Sequence, residues 1–234
     1  MIALQIHAVV LGSSDPRRAA EFWGVLLNRP PIRETSGFLL AGTPRQVGLR
    51  FVYEDSGGGR DLLHLHLNTD GTRNQDDIVA TCIELGASHI DVGQKPEEPH
   101  VVLADAVGEA FCVIEDSNHY LAGCSPLAEV TCAGTRAVGK FWSEVLQWPL
   151  VWEEGEETAI QSPLGGTKLA WSGHPGATDA DNCRQFFEVT TSRSQLDRET
   201  SRLLGLGATH HGTSENGEEI FGDPDGSKFV LRTR

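Results

Sequence analysis

The chain has 234 residues, a formal net charge of −14, and a composition that is 39% hydrophobic and 22% charged. That length allows one large domain or two of about 110 residues, each able to bury a core. The acidic balance offers no basic surface to displace counterions from a phosphate backbone, which excludes nucleic acid as a partner, and no run approaches the roughly 18 apolar residues of a membrane-spanning helix. The five cysteines are odd in number and lack CxxC spacing, so neither a disulfide framework nor a zinc ribbon is indicated. Residues 1–10 contain no basic segment followed by a long apolar run, and a cytoplasmic location is expected.

Leu4 to Leu11 is aliphatic and β-branched and ends at Gly12-Ser13-Ser14, a strand running into a turn. Asp15 and Pro16 suit the first turn of a helix whose Ala19, Phe22, Trp23, Leu26 and Leu27 share one apolar face. Short strands are predicted over 38–41 and 47–53, then a glycine loop at 56–59. Over 62–69, Leu63, Leu65 and Leu67 alternate with His64, His66 and Asn68, so the leucines take one face of a strand and the imidazoles the other. A helix over about 75–85 ends at Gly86, and further strands are predicted over 89–92, 101–105 and 110–114.

The order then starts again. Phe22-Trp23 and Leu26-Leu27 return as Phe141-Trp142 and Val145-Leu146, and Leu85-Gly86-Ala87 returns as Leu206-Gly207-Ala208. The Asp105, Gly108, Phe111 pattern returns as Asp223, Gly226, Phe229. A near-constant shift of about 120 residues across separated motifs marks a duplication. The small-residue stretch Ala122-Gly123-Cys124-Ser125-Pro126 is the natural boundary, and each half itself reads as two βαβββ modules. The two tryptophans are expected as core wedges, Gly165-Gly166-Thr167-Lys168 as a hairpin turn, and Gly222-Asp223-Pro224-Asp225-Gly226 as a tight turn rather than a calcium loop.

Ile6-His7-Ala8-Val9-Val10, Ala20-Glu21-Phe22-Trp23, Leu63-His64-Leu65-His66-Leu67, Leu85-Gly86-Ala87 and the ending Asp223-Pro224-Asp225-Gly226-Ser227-Lys228-Phe229 together resemble the vicinal oxygen chelate superfamily. That superfamily includes glyoxalase I, bleomycin-resistance proteins, fosfomycin-resistance enzymes and extradiol dioxygenases. The resemblance implies an α+β fold of two tandem glyoxalase-like domains, 1–122 and 126–234. Paired βαβββ modules would form curved mixed sheets around a cup, with pairing within a half or across halves left open.

Members that use a metal hold it with histidines or carboxylates on the opening strands and with a glutamate after the Phe of the Asp-Pro-Asp-Gly-type turn. Carried over, these positions are His7 and His64, with Cys112 where the glutamate belongs. In the second half Phe186 and Val230 match His64 and Cys112, and Glu129 is the opening-strand candidate. The implied set of His7, His64, Cys112 and Glu129 is incomplete; His66 can replace one ligand because it shares a strand face with His64.

A divalent metal (Zn, Fe, Mn or Ni) is the cofactor this implies, and cysteine for glutamate favours zinc or no metal. The competing view makes His7 and His64 hydrogen-bonded cup residues and Cys112 a buried apolar side chain. The function expected is binding of a small organic molecule in the cup, contacted by His7, His64, His66, Phe186 and Glu188. The net charge adds a bias toward cationic ligands. The alternative is a metal-dependent lyase, isomerase or dioxygenase of the same superfamily. A monomer or homodimer is expected.

Overall fold

The computed structural model describes residues 4–54, 63–69, 71–95, 97–124, 126–175 and 184–234; the loop expected at 56–59 and Cys183 lie outside them. The first half runs β1 (Gln5–Ser13), α1 (Pro16–Leu26), β2 (Ile32–Glu34), β3 (Gly37–Leu40), β4 (Gly48–Tyr53), β5 (Leu63–Leu67), α2 (Gln75–Glu84), β6 (Ser88–His89), β7 (Val101–Ala104) and β8 (Ala110–Val113). The second half repeats the order as β9 (Leu127–Cys132), α3 (Arg136–Leu146), β10 (Leu150–Glu154), β11 (Glu157–Gln161), β12 (Lys168–Trp171), β13 (Gln185–Thr191), α4 (Leu196–Leu206), β14 (Thr209–Thr213), β15 (Glu219–Gly222) and β16 (Lys228–Thr233).

Local chemistry accounts for the helix ends. The Asp15 carboxylate accepts from the Arg18 amide at 3.0 Å and Pro16 occupies the first turn of α1. Asn74 and Asp77 form a reciprocal capping box at the start of α2, and Gly86, at φ +100°, lets the chain turn off its end.

Two eight-stranded sheets result, ordered β14-β15-β16-β13-β1-β4-β3-β2 and β10-β11-β12-β9-β5-β8-β7-β6. Each combines one module from each half. β1 runs antiparallel to β13, pairing Ala8 with Glu188, and β5 runs antiparallel to β9, pairing His66 with Glu129. The modules therefore pair across the halves, first with fourth and second with third.

The duplicated aromatic pair joins the two sheets. α1 packs on β3 and β4 of the first sheet, yet Trp23 reaches Phe111 of β8 in the second, with ring centroids 5.0 Å apart. Its indole nitrogen donates to Asp105 at 2.9 Å. In the other direction, Trp142 of α3 packs edge-on against Phe187 at 4.9 Å and Phe229 at 5.0 Å, both in the first sheet. Trp23 and Trp142 are 2% and 1% exposed, and one continuous apolar core contains both. The sheets also touch through backbone. Gly166, at φ +93°, packs where a Cβ would fall 1.5 Å from the Arg45 carbonyl oxygen, so only glycine fits there.

Three outcomes follow from this arrangement. Trp23→Ala should lower the unfolding free energy by about 3–5 kcal/mol in urea titration, with Trp142→Ala similar, because each deletes a bolt between sheets as well as core volume. A fragment ending at residue 122 leaves β1 and β5 without their partner strands, so light scattering should find it unfolded or paired with a second copy, and no folded monomer.

The third concerns Asp223, at the β15–β16 turn, whose carboxyl is pushed up to about 6 by burial, against the pull of the Ser227 and Asp225 amides. Its folded value exceeds the unfolded one of about 3.9, so its stabilising contribution is full below the unfolded value and lost as pH rises through the folded one. Wild type should gain on the order of 2–3 kcal/mol relative to Asp223→Asn between pH 7 and pH 4, read from denaturation at each pH.

Candidate functional site

Strand β5 projects Leu63, Leu65 and Leu67 into the core and His64, His66 and Asn68 onto the opposite face. Its neighbours bring further donors to that face. On one side Cys112 of β8 lies beside His66 in register, and on the other Glu129 of β9 faces it. The ladder is irregular here, with Ala128 as an extra residue of β9 between the pairs His66–Glu129 and Leu67–Leu127. Such a bulge re-aims the side chain beside it.

One ligand atom each from His64, His66 and Cys112 lie within 4.8 Å of one another. His64 Nε2 is 3.1 Å from Cys112 Sγ, and the two imidazole rings meet edge to face at 5.2 Å. Burial, then the neighbouring His66 and His100, hold the His64 imidazole down to about 4, so it is neutral at physiological pH with a lone pair to offer. Burial pushes the Cys112 thiol up to about 11. Zinc sites with three protein ligands and an open position use this donor chemistry, so the residues present fit a soft divalent ion.

Glu129 stands just outside the three. Its Oε1 sits 3.1 Å from His66 Nδ1 and accepts from the Thr131 hydroxyl at 2.8 Å. Burial opposes its charge, but His66, with help from Tyr120 and Thr131, keeps the carboxyl below its ordinary value. An ionised carboxylate can only accept, so the His66 proton sits on Nδ1 and Nε2 keeps its lone pair. Oε2 is buried, and the Tyr120 phenol supports its charge without completing a hydrogen bond of normal geometry. The rest of this face is apolar: Val102, Ile114, Leu121 and Ala128 cluster with Cys112, and Tyr120 packs against them.

The first sheet carries the corresponding face, and its chemistry differs. Registers align Glu188 with His66, Val230 with Cys112, Ala8 with Glu129 and Gly48 with Lys168. His7, expected beside His64, lies in this sheet instead, at a bulge of β1 with Nε2 3.8 Å from Glu188. Glu188, 3% exposed, is held by Arg50 at 3.1 Å and by Arg232 at 3.0 Å. Arg50 also pairs with Glu34, and Arg232 with Glu218 at 3.0 Å. Two guanidinium groups thus pair with Glu188, and Phe186 stacks under the Lys228 ammonium at 4.5 Å. Burial is the main influence lowering the His7 value, with Glu188 opposing it.

The geometry thus brings His64, His66, Cys112 and Glu129 together and sends His7, Phe186 and Glu188 to the second cup. Arg50, Arg232 and Tyr120 carry no motif signal in the sequence reading, and Lys168, expected in a hairpin turn, instead opens β12 opposite Glu129. The strand alternation could have flagged Arg50, whose neighbours Leu49 and Phe51 are core residues.

A glyoxalase-like domain model matches residues 8–114 and again 128–232. A search of curated proteins returns no match. Among solved structures, glyoxalase I from Zea mays aligns with a TM-score of 0.64 at 14% identity, covering 99% of this chain and 92% of that one. A protein described as a putative dioxygenase from Bacillus subtilis subsp. subtilis str. 168 aligns at 0.63 and 10% identity, covering 99% and 85%. Identities this low speak to fold alone, while the two matches of the family model together span nearly the whole sequence. The chain therefore belongs to the glyoxalase-like family of the vicinal oxygen chelate superfamily, as two tandem copies of its domain.

Proposed function

We propose that the cup formed by β5, β8 and β9 is a metal-supported binding site for a small organic molecule, with His64, His66 and Cys112 as the protein ligands of a zinc-type ion. The observation that carries this is the convergence of the three donors on one face of the sheet, within 4.8 Å of each other. A cysteine among the ligands, which gives up its thiol proton on binding the ion, favours zinc over manganese or magnesium, which prefer oxygen donors. When bound, such an ion supplies Lewis-acid polarisation of a ligand oxygen.

The chain's own residues have separable tasks in this reading. Glu129 holds the His66 ring in one tautomer through Nδ1, and Thr131 holds Glu129. The apolar side chains around Val102 and Ile114 exclude water and supply affinity without direction. A second, lyase or isomerase reading draws on Glu129 Oε2, buried and short of a hydrogen bond, which in that reading would hold a proton taken from a bound molecule. The first-sheet cup serves structure in this reading, its carboxylate already committed to two arginines.

Elemental analysis of tag-free protein purified without added metal tests the proposal. About one zinc per chain is expected in the wild type, and loss of nearly all of it in His64→Ala and in Cys112→Ser. Glu129→Gln should keep the site but weaken zinc affinity by roughly ten- to a hundredfold in chelator competition. A folded wild-type protein that stays empty after zinc is supplied would overturn the reading.

A further inference from the structure

The residue facing Glu129 on its other side is Lys168, at the start of β12. It is 8% exposed, buried with the metal-capable face rather than carried on the surface where lysines usually lie. Its ammonium does not engage Glu129. It donates to the backbone carbonyl of Tyr120 and lies 3.6 Å from the centroid of the Tyr120 ring. Both partners are neutral, so the cup holds a full positive charge whose contacts among the described residues include no anion.

The two sheets build this position differently. The aligned position of the first sheet is Gly48, which keeps the same ladder with no side chain. The turn preceding it is fixed by Gly166 and by the Thr167 hydroxyl, which donates to the Leu127 carbonyl at 2.8 Å. A buried cation that meets no anion among the described residues is placed to receive one from a ligand. Beside it stand two aromatic rings, Tyr120 and Trp152, edge to face at 5.7 Å, with Trp152 still 42% exposed.

We infer that Lys168 is the anion-holding residue of this cup, and that the molecule it takes is small, carries an aromatic or other apolar body, and bears a carboxylate or comparable oxyanion. The apolar body lies along Tyr120 and Trp152. The oxyanion accepts from the Lys168 ammonium in place of the Tyr120 carbonyl, which then faces water or the guest. The overall charge of −14 favours cations at long range, but screening confines that field to about 8 Å at physiological salt, and a contact ion pair in a partly buried site outweighs it. This inference rests on the reading of the cup as a ligand site and is independent of whether zinc is held there.

The test is a matched pair of probes, 3-phenylpropanoate and 3-phenylpropanamide, titrated calorimetrically into wild-type protein stripped of metal by chelator. Stripping removes the ion as an alternative partner for the carboxylate. The carboxylate should bind at least about tenfold tighter than the amide, the scale of a hydrogen bond to a charged group. That ratio should fall to near one in Lys168→Met and Lys168→Gln and persist in Lys168→Arg. Circular dichroism and zinc content of each variant show whether the fold and the metal-capable site are intact.

Equal affinity for the two probes in wild type, no binding of either, or a ratio that survives Lys168→Met would overturn the inference. The wild-type ratio decides even where a variant fails to fold. A protein that shows the ratio but never binds zinc sinks the metal reading alone, and one that binds zinc without the ratio sinks this one alone.

Discussion

The antiparallel pairing of β5 with β9 is the contact on which the site depends. These strands are separated by more than a quarter of the chain and belong to different halves of the duplication, yet their ladder sets His66 opposite Glu129. Every polar relation in the cup follows from that register. Cys112 flanks His66 because β8 pairs with β5, and Lys168 flanks Glu129 because β12 pairs with β9. A slip of one residue would turn all of them into the core and the leucines outward. The apolar alternation of β5, with leucines sealed against the aromatic bolts, makes that slip prohibitive.

Exchange of modules also explains why the two cups could diverge. Each cup draws on both halves, so a residue and its duplicate are always placed in different sheets. His66 stands in one and its counterpart Glu188 in the other, with Cys112 and Val230 divided in the same way. One cup kept soft donors around a neutral imidazole. The other filled with a buried network in which Arg50 and Arg232 share Glu188. Removing one member of such a network leaves an uncompensated buried charge, which makes it a structural commitment rather than an open site.

Electrostatics inside the metal-capable cup run against the protein's overall character. The chain is strongly acidic, and a ligand at a distance meets a field favouring cations. Inside, Glu129 is already engaged by His66 and Thr131, whereas the Lys168 ammonium meets only a carbonyl and a ring. Groups at contact distance act where the distant charges are already screened.

Much of this fold was legible in the residues themselves. The helical stripes ending in Phe-Trp, the leucine–histidine alternation of β5, the glycine that ends α2 and the doubled order of elements all follow from period, capping and turn chemistry, which act over a few residues. His64, Cys112 and Glu129 could be named from strand faces and from the family resemblance. Which of them meet could not, because strand pairing between distant segments is set by the packing of whole modules and leaves no local trace. Hence His7 was grouped with His64 although they belong to different sheets, and Lys168 was read as part of a turn although it faces Glu129. The sequence determined the modules and the face each side chain takes; the tertiary structure alone decided which modules join, since that choice depends on how complete sheets bury their apolar faces against one another.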